Sequence, residues 1–339
     1  RSSVIKGYGS FHTFVIDNGA TSVISLYRNN VSHLSFQESN KTGGKCFRAF
    51  GFAEARFHDL SFDQPYDGAE FNWYNDVTAT NIIFQGPLRC ENSQRILLTS
   101  PLHTTSDVFT MKDIGIGGQS AYSGPPGPHA AHGIVIDGWC NTVSIQKAYC
   151  VRVEGNGYWI RNAIGADQPP SYIEMEGVET DFCGGTGIYL QHCTGCHISI
   201  PQLGNSYNAR GIIVAAGVLN VTITGGQISD NGNEGLVIAG SRVTVTGVHL
   251  YSNGTSARGG AAHSYAGVYL QSTANNVVLN GVSSGPGSAG STQAYGLIID
   301  AAADYFAVCG GNFLAGNQDG TIANAAGTGA TKVVANNVA

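Results

Sequence analysis

The stretch GIIVAAGVLNVTITGGQISDNGNEGLVIAGSRVTVTGVHLYSNG, Gly211–Gly254, states one phrase twice. A Gly opens a short apolar-x-apolar run, a turn follows, then VTITG or VTVTG, then a corner rich in Gly and Asn. The phrase-opening glycines stand at Gly187, Gly211, Gly235, Gly267, Gly296 and Gly320, in steps of 24, 24, 32, 29 and 24 residues, and the longer steps read as loop insertions. Upstream the phrase recurs more loosely as VSHLSFQ (31–37), ARFHDLSFD (55–63), TNIIFQG (80–86), FTMKDIGIGG (109–118), NTVSIQKAY (141–149) and YIEMEGVETD (172–181). A fixed period in this range is the signature of a repeat architecture, and here it runs nearly end to end.

Within each phrase apolar and polar residues alternate over four to six positions, which is strand periodicity, and Gly, Asn, Ser or Asp fill the joints. Three short strands at ~3.3 Å per residue plus tight corners take up about 22 to 25 residues, one turn of a triangular solenoid whose strands pair in parallel with their copies one coil away. One repeat is therefore one rung. On these phrases the chain resembles the right-handed parallel β-helix of the pectate-lyase-like superfamily, and most of all the polysaccharide depolymerases of phage tailspikes; the resemblance covers nearly all of residues 14–338. It implies an all-β fold, a right-handed parallel β-helix of about 10–12 coils, in a single domain over residues 1–339. It also implies a polysaccharide substrate, a homotrimer, a place on a virion surface or outside the cell, and no cofactor. The calcium-binding aspartates and following Arg of pectate lyases are missing, as are the NTD, DD, GHG and RIK set of polygalacturonases and the DPHE motif of mannuronan epimerases.

Composition agrees with a turn-rich globular chain. The 339 residues are 42% apolar, include 47 Gly and are only 12% charged, which argues against disorder, coiled coil or a helical bundle. Net charge is -6 and the 17 Lys and Arg never form a run, so nucleic acid is not an expected partner. No segment approaches 18 consecutive apolar residues, so membrane insertion is not expected either. The opening RSSVIKGYGSF lacks the apolar core of a signal peptide and begins abruptly, as a piece of a longer chain would. The eight Cys suit either disulfides of a secreted protein or thiols packed in a core; the small inward positions of a solenoid favour thiols.

Rung alignment sorts side chains by direction, because successive residues of a strand face opposite ways. Setting Ile173, Val221 and Val243 level turns Ile173, Met175, Val221 and Ile223 inward and Glu174, Glu176, Thr222 and Thr224 outward. On the next strand Thr180, Ile228 and Leu250 point inward, so Glu179, Gln227 and His249 form one outward ladder and Asp181, Ser229 and Tyr251 another. The strand after each opening Gly differs: its outward positions read Val135, Trp159, Tyr189, Ile213, Val237, Tyr269 and Ile298. An apolar ladder of that length calls for a cover. Inserted loops, two further copies around a threefold axis, or a sugar stacked on Trp159 and Tyr189 would each supply one.

Chemistry concentrates at YIEMEGVETD, where Glu174, Glu176, Glu179 and Asp181 project outward from one rung of a chain with only 23 Asp and Glu. Paired carboxyls flanking a glycosidic bond, one protonated and one ionised, are what glycoside hydrolysis requires. These four are the catalytic candidates for a hydrolase. Trp159, Tyr189, Lys112, Gln227, His249 and Tyr251 are the candidates for substrate binding, and no metal ligands stand out. A lyase would instead need a base such as Lys112, Arg161 or a His, and a non-catalytic carbohydrate-binding or structural spike would need none. A solvated acidic face with Lys112 and Gln146 as partners is the plain structural alternative. Asp137 and Arg161, on adjacent rungs, read as a structural ion pair. The insertions Gln119–His132, Gly165–Ser171 and Asn253–Tyr265, carrying His129, His132 and His263, emerge around the acidic rung and are placed to wall a groove.

Three sharper strings fail on context. CTGCH, Cys193–His197, matches the haem-attachment pattern but spans a solenoid corner, with His197 expected level with Asn220. DNGNEG lacks the bidentate Glu of an EF-hand loop. The sequons at Asn30, Asn40, Asn220 and Asn253 sit in an Asn-rich chain, and a corner at Asn220 leaves little room for a glycan.

Overall fold

The computed structural model describes residues 3–9, 14–17, 26–41, 44–63, 65, 67–85, 94–100, 105–117, 131–200, 205–255, 264–286, 293–313, 317–327, 329–335 and 337. Strands are joined by parallel pairing into a solenoid of three faces, each a stack of twelve strand segments among the described residues. The first face runs from Phe14–Asp17 to Gly320–Asn324, the second from the start of Asn30–Lys41 to Lys332–Ala335, and the third from Ser3–Gly9 to Asn312–Phe313. Among the described residues no helix is long and apolar enough to cross a membrane.

Coil follows coil in the expected register. Val31 pairs with Phe57, Phe57 with Ala79, Ala79 with Met111, Met111 with Ile145 and Ile145 with Met175, so the loose upstream phrases are rungs as well. Two alignments need correction. Gly320 lies level with Tyr295 rather than Gly296, and Ile322 with Leu297. His197 lies level with Thr222 rather than Asn220, in a strand that already begins at Thr194 opposite Leu219, and the even slip leaves His197 facing outward.

On most coils the bend between second and third faces has a positive-φ residue among the described residues. In the N-terminal half that residue carries a side chain: His33, Asp59, Asn81, Asp113 and Lys147 have φ of 49 to 56°. Further on it is glycine at Gly177, Gly225, Gly247, Gly281 and Gly310. Asn, Asp and His tolerate this conformation better than most residues, and glycine adopts it freely. Strands such as Phe47–Asp63 and Ala69–Gln85 therefore run through the corner without interruption.

The phrase-opening glycines answer to a different constraint. A Cβ on Gly157 would lie 2.7 Å from the Gly187 carbonyl oxygen, one on Gly235 2.9 Å from that of Gly267, and one on Gly267 3.0 Å from that of Gly296. Each such carbonyl faces the coil before it, and that of Gly235 accepts the N–H of Ile212 at 2.8 Å. Backbones approach too closely here for any side chain.

The core fills the bore. Near the N-terminus it is aromatic, with Phe36, Phe62 and Phe84 stacked at 4.8 and 4.3 Å; further on it is Ile, Val and Leu. Each such side chain contributes about 1.5–3 kcal/mol on burial. One inner corner is polar: Asn208, Asn231, Asn253, Gln293 and Asn317 are buried in a column. The side-chain oxygen of Asn208 accepts the N–H of Cys183, that of Asn231 the N–H of Asn208, and that of Asn253 the N–H of Asn231. These amides satisfy backbone donors that the corners of DNGNEG and its copies leave unpaired. Asn253 is thus closed to a glycan, while Asn30 and Asn220 are exposed, so the corner does not bury Asn220. Cys46, Cys140, Cys150 and Cys183 are buried thiols, as expected, and burial pushes the Cys140 and Cys150 thiols up to about 12. Cys193 and Cys196 depart from that expectation: both turn inward at one corner and their sulfurs are paired as a disulfide. Cys90 and the side chain of Asn40 lie outside the described residues.

Candidate functional site

The acidic rung consists of the strands Ser171–Glu176 on the second face and Glu179–Asp181 on the third, joined through Gly177. Ile173, Met175 and Thr180 are buried, so alternation throws Glu174, Glu176 and Glu179 into solvent and leaves Asp181 half-buried. None of the three glutamates takes part in an ion pair among the described residues. Water screens carboxylates this exposed from one another. Glu174 lies between Ser144 and His197 on neighbouring coils. Lys112, Gln146, Glu176 and Ser199 follow one another on four successive coils.

Polar residues on the following coils continue the third face. Gln227 is level with His249, and Asp181 leads through Ser206 and Ser229 to Tyr251. Gln227 donates to the Ser229 hydroxyl at 2.8 Å, and His249 Nδ1 lies 2.6 Å from the Ser283 hydroxyl. At ~4.8 Å per coil, Tyr251 stands about 14 Å along the axis from Asp181. Gln227, His249, Tyr251 and Lys112 thus share the two faces of the acidic rung.

Trp159 and Tyr189 do not. They belong to the first face, on strands Tyr158–Arg161 and Thr186–Leu190, where their rings stack at 6.1 Å and 5°. The Arg161 guanidinium covers the Trp159 ring at 4.2 Å, and the indole N–H donates to Gln191 Oε1 at 3.0 Å. Arg161 Nε also donates to Asp137 Oδ2 at 2.6 Å, while Asp137 Oδ1 accepts the N–H groups of Ala163 and Ile164. Asp137 is buried, and every bond it makes is structural.

His132, one candidate of the loop set, packs 4.6 Å from Trp159. Its Nδ1 accepts the N–H of Asn156 at 3.0 Å. Burial, then the charges of Arg161 and Arg95, hold its pKa down to about 4. At neutral pH it is a neutral imidazole with its proton on Nε2, able to donate a hydrogen bond but not to take up a proton through Nδ1. Arg95, fully buried and 3.3 Å from Glu154 Oε2, adds the charge that neighbours it. Sequence reasoning missed this pair because a lone Arg at the head of a strand carries no pattern. The rest of the apolar ladder is more covered than expected: Val135 and Val237 are buried by their own chain and Ile213, Tyr269 and Ile298 are half-buried. His129 and His263 lie outside the described residues, as does most of the two loops that hold them.

Metal-ligating side chains converge once among the described residues. His33, His58 and Asp59 have ligand atoms all within 4.8 Å of one another, far upstream of the acidic rung. The sequence holds their signal only as a near-repeat, SHLSF against HDLSF.

No family model matches the sequence, and no curated protein matches it. Solved structures do match the fold. The A-module of a mannuronan C-5 epimerase from Azotobacter vinelandii superposes with a TM-score of 0.64 at 16% identity, over 99% of this chain and 90% of that one. The chain is a parallel β-helix. The enzymatically active domain of tailspike protein 2 from bacteriophage CBA120 gives a TM-score of 0.47 at 12% identity, over 95% of this chain and 47% of that one. An endo-xylogalacturonan hydrolase from Aspergillus tubingensis gives 0.29 at 12% identity, over 96% and 91%. At such identities the likeness is one of fold, and function must be argued from the site.

Proposed function

We propose that this protein is a polysaccharide depolymerase of the tailspike type, a glycoside hydrolase acting on a bacterial surface glycan at Glu174, Glu176, Glu179 and Asp181. The observation that carries the reading is the concentration of these four outward carboxylates on one coil, at the head of a run of outward polar side chains ending at His249 and Tyr251. A glycan laid along the axis would meet the carboxylates at one end and Gln227, His249 and Tyr251 further on, with Lys112 and Gln146 on the opposite side. One carboxyl protonates the glycosidic oxygen and a second acts as base or nucleophile. Glu174 and Glu176 stand two positions apart on one strand, about 7 Å between Cα atoms. A polymeric glycan as substrate is taken over from the mannuronan C-5 epimerase that shares the fold, and a virion-surface or extracellular site follows from such a substrate. The half-buried apolar ladder of the first face supports a homotrimer.

The lyase reading loses support at two of its bases. Arg161 is held by Asp137 and Trp159, and His132 Nδ1 is occupied by a backbone N–H. Binding without chemistry is the second reading. Its candidate contacts on the first face are Trp159 and Tyr189, half-buried and stacked on one another.

A panel of bacterial capsular and lipopolysaccharide glycans separates the three. Hydrolysis yields new reducing ends, a lyase yields absorbance from unsaturated uronates, and a binding module retains the glycan unchanged. On a cleaved substrate, Gln or Asn at the essential pair among the four acids lowers turnover by at least ~100-fold with glycan binding intact. Near-normal rates in all four single amide variants would reduce the acidic rung to a solvated face.

A further inference from the structure

The corner between second and third faces brings together, on the second and third coils, two imidazoles and a carboxylate that nothing above uses. His33 Nδ1 lies 3.3 Å from Asp59 Oδ2, and His58 Nδ1 lies 2.9 Å from the same oxygen. The two rings stand 5.4 Å apart at 87°. Asp59 Oδ1 is occupied separately, accepting the side-chain N–H of Asn81 at 2.7 Å, which aims Oδ2 at the histidines. These bonds, from His58 first and then Asn81, hold the Asp59 carboxyl below its ordinary range. The backbone accounts for the convergence. His33, Asp59 and Asn81 are the positive-φ corner residues of three successive coils, and His58 precedes one of them, so its side chain comes alongside His33 from the neighbouring coil.

We propose that His33, His58 and Asp59 bind a divalent first-row transition ion of the Zn2+ class, with Asn81 orienting the carboxylate. Bonds of ~2.0–2.2 Å from a tetrahedral ion to imidazole nitrogen and carboxylate oxygen place ligand atoms about 3–3.5 Å apart, the separation already present at Asp59 Oδ2. A set of two nitrogens and one oxygen suits Zn2+ rather than Ca2+ or Mg2+, which take oxygen ligands throughout. His33, Asp59 and Asn81 also line an open cavity of about 360 Å3, where the Ser35 and Ser61 hydroxyls stand 2.8 Å apart. Because His33 belongs to one coil and His58 and Asp59 to the next, the ion clips together two coils near the N-terminal end of the solenoid. This site is independent of the proposed hydrolysis.

Calorimetric titration of the chelator-treated full chain with ZnCl2, at neutral pH, tests it. The expected result is one site with Kd below about 10 μM, unaffected by millimolar Ca2+, and a higher Tm for the zinc-loaded protein because only the folded state holds the ion. His33 is exposed (64% of its side chain) and sits at a positive-φ corner that glycine adopts freely, so His33→Gly keeps the fold; it weakens zinc at least ~100-fold and abolishes the Tm gain. His58→Ala does the same, and Asn81→Gly, which removes the group that aims the carboxylate at a corner glycine adopts freely, weakens binding by about 10-fold. Absence of zinc binding by the wild type, unchanged binding in both histidine variants, or displacement of zinc by Ca2+ would each overturn the site.

Discussion

His132 and Asp137 lie on adjacent parts of the first face, and their surroundings treat charge in opposite ways. Asp137 is buried with the Arg161 guanidinium against one carboxylate oxygen and two backbone N–H groups donating to the other. His132 is packed against Trp159 with two arginines in range, and a proton there would add a third positive charge. The unfolded chain takes up that proton near the ordinary histidine pKa of about 6.5, whereas the folded protein refuses it down to about 4. The contribution of His132 to stability is therefore complete above about pH 6.5, falls away as the pH drops toward 4, and amounts to about 3 kcal/mol over that window. His132→Gln should flatten this part of the profile. Denaturation midpoints at pH 7 and pH 4.5 should differ less in the variant than in the wild type, and an equal difference would place the acid sensitivity elsewhere.

Within a single strand the deciding contact is with the next coil. Leu236–Ile238 is only three residues long, yet it holds its register because Gly235 lets the backbones close up and Asn231 and Asn253 fill the polar corner around it. A Cβ at Gly235 would meet the Gly267 carbonyl at 2.9 Å and the Asn253 amide at 2.6 Å, neither of which is free to move away. Gly235→Ala should therefore cost more than about 2 kcal/mol, although Ala ordinarily stabilises an extended or helical backbone relative to Gly. Gly329→Ala, where a Cβ meets nothing, should stay within about 0.5 kcal/mol. Chemical denaturation of the two variants side by side checks the contrast, and equal stabilities would mean that the coils can spread.

For the whole molecule, pairing joins residues a coil or more apart in sequence, so nearly every native contact waits on chain closure. Slow folding and a circular dichroism spectrum dominated by strand should follow. Assembly is the larger question at this scale. Val237 is buried by its own chain, so a charge placed there would damage the monomer itself. Ile213 is half-buried at the middle of the same ladder, with its neighbours Ile212 and Val214 inside. If the proposed trimer forms through this face, Ile213→Asp should convert it to monomer in sedimentation at micromolar concentration while leaving the dichroism spectrum unchanged. A monomeric wild type would remove the threefold reading of this face.

The repeat by itself determined the solenoid, the register of almost every rung and the direction of each side chain. Period-two alternation fixes inside and outside within a strand, and the return of the phrase fixes which residues stack, as Val221 on Val243 and Gln227 on His249. It also determined the exposure of Glu174, Glu176 and Glu179, which depends on nothing beyond their own strands. Tertiary structure alone decided what sits beside what across a corner. The Arg161 guanidinium over Trp159, His132 against the same ring, and His33 meeting His58 and Asp59 depend on backbone bends with positive φ and on the approach of neighbouring coils. The same holds for burial by the rest of the chain, which closed Val135, Val237 and Asn253 to solvent. Alternation along a strand carries direction but not distance, and distance between coils is set only when the coils pack.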